Sequence, residues 1–118
     1  MNVEVIARVC WEANRALSLG VGDGIKASWD EVLQWQRDTV INGVIFLLAN
    51  PNAGAEAHHD NWYKVKTQEG WTLGPMIDPF LKQHPRFLLY NQLTAAQQAR
   101  DHLVVAIVEA LRSIADPL

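Results

Sequence analysis

Apolar residues recur at helical spacing along most of the chain, with polar residues on the opposite faces. Over residues 3–19 the stripe is Ile6, Val9, Cys10, Ala13 and Leu17, while Glu4, Arg8, Glu12 and Arg15 lie largely off it. This predicts an amphipathic helix that ends in LGVGDGIKA. Ser28 with Glu31 three places on is a capping-box signature and predicts a second helix from that point, with Leu33, Val40, Ile41, Val44, Ile45 and Leu48 on one broad apolar face. NPNAG at 50–54 is turn chemistry. A third helix is predicted from about Ala55 to Glu69, with Gly70 just beyond its end and Trp71 where a hydrophobic residue folds back on the last turn. Pro75, Pro79 and Pro85 then exclude long helix from Trp71 to Leu93, and only short pieces such as WTLG and RFLLY can pair. Thr94 with Gln97 opens the last helix, whose stripe is Leu103, Val104, Ile107, Val108, Leu111 and Ile114, with Pro117 beyond it. The expected fold is mainly α: a compact four-helix domain over residues 1–118 with an irregular proline-marked segment and at most a short two-stranded β-ribbon.

Composition narrows the function classes. The chain has 118 residues, 49% of them hydrophobic, which suits one domain with a real core. A net charge of -3 gives no general attraction for a phosphate backbone, so neither DNA nor RNA is expected as a partner and any anion site must be local. The single cysteine, Cys10, lies in an apolar stripe and reads as a small buried hydrophobe. VINGVIFLLA, the longest apolar run, is interrupted by Asn42 and Gly43 and is too short to span a bilayer. The start, MNVEVIARVCWEANR, lacks the basic-then-apolar order of a signal peptide. No membrane partner is expected, and the location is expected to be cytoplasmic.

Local signals for catalysis are weak. His58, His59 and Asp60 are adjacent and His84 lies further on, but neighbours on a helix point about 100° apart and no second cysteine or tight carboxylate cluster completes a ligand set. No metal and no cofactor are expected; His58 and His59 read as a solvated first helical turn, and His84 as a loop residue held by hydrogen bonds. There is no nucleophile elbow, and VGDG lacks the Lys-Ser or Lys-Thr of a phosphate-cradling loop, so an enzyme is not expected. The third helix stands apart. His58, Trp62 and Lys66 share one face and His59, Tyr63 and Lys66 a neighbouring one, which sets aromatic rings beside cationic or titratable groups. Such rings are either core or the platform for a planar anion; Trp11, Trp29 and Trp35 read as packing residues.

The run DNWYKVKTQEGWTLGPMIDPFLKQHPRFLLYNQLTAAQQARD resembles the ryanodine receptor repeat, or RyR domain. The resemblance rests on Asn61, Trp62, Lys66, Gly70, Trp71, Gly74, Pro75, Lys82, His84, Pro85, Tyr90, Leu93 and Asp101. IARVCWEANRALSLG and WQRDTVINGVIFLLANPNAG are similar to stand-alone bacterial and phage members, which places a core repeat at about 28–115 behind an N-terminal helix at about 3–19. The sequence departs from the pattern at LLYN, where a proline is usual before the tyrosine, and at Arg86, where a cysteine is common. The resemblance implies a small binding module for an adenine-containing nucleotide or ADP-ribose-like metabolite, acting as a sensor or a sink. Trp62 and Trp71 would stack the base, Lys64, Lys66, Lys82 and Arg86 would meet phosphate, and Tyr90 or His84 would hydrogen-bond. Within one chain the two tryptophans can grip one base only if the segment after Gly70 turns sharply back, so a twofold homodimer sharing its sites is expected. The alternative is a protein-interaction or structural module in which these aromatics are core or interface.

Overall fold

The computed structural model describes residues 1–24 and 26–118. Helix α1 (Val3–Gly20) begins where Asn2 accepts a hydrogen bond on its side chain from the backbone N–H of Val5. It packs on α2 (Gln34–Ala49) and α4 (Ala95–Leu111), and α3 (Ala55–Gln68) closes the bundle against α2 and α4. A 3-10 turn, Arg112–Ile114, continues α4. Ile6, Ala7, Cys10, Trp29, Val32, Val44, Leu47, Val104 and Val108 form the dry core. Each large aliphatic side chain buried there contributes about 1.5–3 kcal/mol. Burial also pushes the Cys10 thiol up to about 12, as suits a small hydrophobe. Leu33, Ile45 and Ile114, expected on core faces, lie at the rims and are largely exposed.

The second helix begins later than its capping signature predicts. Ser28 does nucleate one turn: its carbonyl accepts from the N–H groups of Glu31 and Val32, and its hydroxyl reaches Glu31 Oε1. The turn does not propagate. Arg37 donates from Nε to the carbonyl of Trp29 and from Nη2 to that of Asp30, which removes the acceptors that a continuing helix would use. Glu12 of α1 meanwhile accepts from the Trp29 N–H at 3.0 Å, while Trp11 Nε1 and Arg15 Nε donate to the carbonyls of Ala27 and Lys26. The connection is thus laid along α1 by side chains, and α2 starts at Gln34.

The end of α3 follows its local signals. Gly70 adopts φ +87, the Trp71 N–H bonds the Lys66 carbonyl and the Gly70 N–H bonds that of Thr67, which is the Schellman pattern. The chain then forms a ribbon of two short strands, β1 (Thr72–Leu73) and β2 (Gln83–His84), paired in parallel with Thr72 opposite Gln83 and Leu73 opposite His84. RFLLY, expected as the partner strand, leads instead into a 3-10 turn at Tyr90–Gln92. Asp78 fixes the crossover, because its Oδ1 accepts from the N–H groups of Phe80 and Leu81 and its backbone exchanges two hydrogen bonds with Gln83. Thr94 and Gln97 form the reciprocal capping box that opens α4.

Candidate ligand-binding face

The segment after α3 folds back over that helix and brings Trp62, His84 and Arg86 together. His84 meets the Trp62 ring edge-on at 5.0 Å and the Trp71 ring at 6.3 Å. The chain therefore turns back sharply after Gly70, and the imidazole of His84 lies against both rings that were expected to stack a base. His84 Nδ1 accepts from the backbone N–H of Arg86 at 3.0 Å, which places the ring proton on Nε2. Desolvation, reinforced by the charges of Arg86, Lys66, Lys26 and His59, pulls its pKa down to about 3. It is a neutral core residue.

Trp71 is buried, 5.2 Å from Trp35, and closes the end of α3. Lys66 is buried with it. Its ammonium lies 5.4 Å and 5.3 Å from the centres of the Trp35 and Trp71 rings, and donates to Thr39 Oγ1 at 2.8 Å and Glu69 Oε1 at 3.1 Å. An ammonium held between two indoles, a hydroxyl and a carboxylate is already compensated. Lys82, in the left-handed region at φ 53, donates from Nζ to the Glu69 carbonyl at 2.7 Å and so caps the C-terminus of α3. Lys64 points to solvent. Tyr90 lies on the far side of His59, and its hydroxyl contacts His102 Nε2 at 2.9 Å beside a shallow depression of about 600 Å³ lined by Gly54, Glu56 and Asp60.

Of the four cations expected to meet phosphate, Arg86 differs from the rest. Its guanidinium lies 5.4 Å over the half-buried Trp62 ring, whose other neighbours are His59 at 5.4 Å, near parallel, and Phe87 at 6.2 Å. Phe87 stacks in turn on Tyr63 at 4.4 Å. Desolvation draws the Arg86 pKa down, Asp101 opposes that, and Arg100 adds to it. A second cation acts on the same place. Lys26, in the connection between α1 and α2, is pushed down to about 8 by desolvation and then by Arg100 and Arg86, with Asp23 opposing. Among the described residues, the hydrogen bonds of Arg86 and Lys26 are made by their backbones alone. Arg100 itself is satisfied, by Ser18 Oγ at 2.8 Å and Asp23 Oδ2 at 2.6 Å.

Behind this face lies a buried polar cluster. His58 and His59, expected to be solvated, point inward to Asp101 of α4. His58 Nδ1 is 2.8 Å from Asp101 Oδ1, and His59 Nδ1 is 3.9 Å from Oδ2, an oxygen with no hydrogen bond among the described residues. His59 Nε2 donates to the Leu88 carbonyl at 2.7 Å, tying α3 to the segment that carries Arg86. The approach of α3 to α2 is close enough that a Cβ at Gly43 would lie 2.8 Å from His58 Nε2. Arg100 was missed in the sequence, although its place four residues before Val104 on the α4 stripe was a signal for it. Lys26, within a glycine-rich connection, carries no such signal. Among the described residues no group of three or more His, Cys, Asp or Glu is arranged to hold a metal, and no helix is long and apolar enough to cross a membrane.

Set against models of known families, the chain matches the RyR domain over residues 47–115, more than half its length. The match begins near the end of α2 and takes in α3, the ribbon and α4, so Trp62, His84 and Arg86 lie inside it and Lys26 lies outside. Comparison with curated proteins and with solved structures gave no match.

Proposed function

This chain belongs to the RyR domain family, and from that premise we propose that it is a binding module for a phosphate-bearing nucleotide metabolite of the adenine nucleotide or ADP-ribose type. The observation that supports this reading is the Arg86 guanidinium, half-buried over Trp62 with no side-chain hydrogen bond to a described residue. Guanidinium carries five N–H donors in a planar fork, and on Arg86 no described side chain or carbonyl takes them up. A phosphate supplies the matching acceptors in bidentate geometry. Lys26 adds a second charge, and the Trp62, Phe87 and Tyr63 rings offer a base an aromatic edge. In this reading Lys66, Lys82 and Trp71 build the fold and do not touch ligand. The site is made within one chain, so sharing between two copies is not required. As a sensor or sink the module would hold a signalling nucleotide, and a phage-encoded copy would lower the free messenger in its host.

The test is a thermal-shift and calorimetric screen with ATP, ADP, ADP-ribose, its cyclised forms and cyclic dinucleotides. A ligand at a hundred times its Kd should stabilise the fold by about 2.7 kcal/mol, several degrees for a domain of this size. Arg86→Gln should weaken binding at least tenfold with the melting temperature unchanged or raised, and binding should weaken as pH rises past about 8 and Lys26 loses its proton. No shift with any ligand would leave the second reading, a protein-interaction module, which is favoured by the apolar loop described next.

A further inference from the structure

Between β1 and β2 the chain swings outward with its large apolar side chains in solvent. Leu73 is 54% exposed, Met76 65%, Ile77 44%, Phe80 96% and Leu81 66%. This is not a slack segment. Asp78 pins the N–H groups of Phe80 and Leu81, the backbones of Asp78 and Gln83 exchange two hydrogen bonds, and Lys82 is tied to the end of α3. Burying these side chains inward would require breaking that set. Their combined exposure equals about three whole large side chains, roughly 500–600 Å², the upper end of the apolar patches that single chains leave uncovered.

We propose that the 73–81 loop is the contact surface of a twofold homodimer, packed on the same loop of a second copy. A loop-on-loop contact would remove roughly 1,000–1,200 Å² in all, the lower edge of specific interfaces. The charge pattern selects this occupant. Apart from His84, residues 72–85 carry one acid, Asp78, and one base, Lys82, each tied within its own chain, so the surface has no net charge and two copies meet on it across a twofold axis without like-charge repulsion. An anionic lipid surface would call for a cationic excess that the loop lacks. The proposal stands independently of the ligand reading, because the ligand face is built on α3, β2 and the residues after it.

Sedimentation of the full chain from about 1 µM to about 500 µM tests it. The mass should rise from 13.3 kDa toward twice that value, and Phe80→Asp should remain at 13.3 kDa with at least tenfold weaker association. Phe80 buries almost nothing, so that variant should keep the wild-type melting temperature. A wild-type chain still at monomer mass at the highest concentration overturns the proposal, as does a Phe80→Asp chain that dimerises normally. Co-sedimentation of monomeric wild type, but not Phe80→Asp, with phosphatidylcholine vesicles would assign the loop to lipid and overturn it as well.

Discussion

The two halves of the molecule are held by different physics. Where α1, α2 and α4 meet, Ile6, Ala7, Cys10, Val44, Leu47, Val104 and Val108 exclude water and present no charge. Where α3 meets the segment from Trp71 to Tyr90, the interior is made of rings and ionisable groups: His59, Lys66, His84 and Asp101 are all buried there. The first half is stabilised by area, which is non-directional and tolerant of register. The second depends on directed pairing, where a buried group without its partner costs more than the partner would contribute. The ligand face we propose lies in the second half, where a charge without a protein partner is one that a ligand can satisfy.

Truncation in the aliphatic half should have the greatest effect. Leu47→Ala removes a side chain that is 2% exposed and should cost about 2–5 kcal/mol in urea unfolding, whereas Leu48→Ala, at a half-buried position, should cost clearly less. Equal losses at the two sites would mean that α2 is rotated from the orientation described.

The polar half should reveal itself by pH. Burial lowers the folded-state pKa of His84 to about 3 from an ordinary value near 6.5, so below about pH 6.5 the unfolded chain binds a proton that the folded chain refuses. Stability from this group is fully present above about pH 6.5 and falls by about 1.4 kcal/mol per pH unit until the folded value is reached, about 2 kcal/mol by pH 5. His84→Asn keeps an acceptor for the Arg86 N–H and should flatten the profile between pH 6.5 and 5. An unchanged slope in that variant would assign the acid sensitivity elsewhere.

The smallest effect sharpens the contrast between two cations on the same half. Lys66→Met leaves the cage of Trp35 and Trp71 filled with an unbranched apolar chain and should change stability by no more than about 1 kcal/mol, with nucleotide affinity untouched. Arg86→Gln should likewise leave the fold at least as stable but weaken nucleotide binding at least tenfold. A tenfold loss of nucleotide binding in Lys66→Met would return Lys66 to the ligand face.

Much of the fold was legible in the sequence because its signals are local. The stripes of α1 and α4, the Thr94–Gln97 cap, the burial of Cys10 and the closure of α3 by Gly70 and Trp71 each depend on residues within a few positions of one another. The same kind of signal failed at Ser28, where Arg37 took the backbone carbonyls that a continuing helix would have used. It failed again at the ribbon, where Asp78 set the crossover that gives β1 its partner in β2, and at His58 and His59, whose fate was settled by Asp101 more than forty residues away. The candidate site divides in the same way. The sequence placed rings and positive charge together on α3 and beyond it, since helical spacing fixes which residues share a face. Which of those charges is already satisfied, as in Lys66, and which is left without a protein partner beside a ring, as in Arg86, depended on atoms brought from other elements. Periodicity carries information about direction along a helix and none about what waits on the other side, so only the tertiary structure could tell one cation from the other.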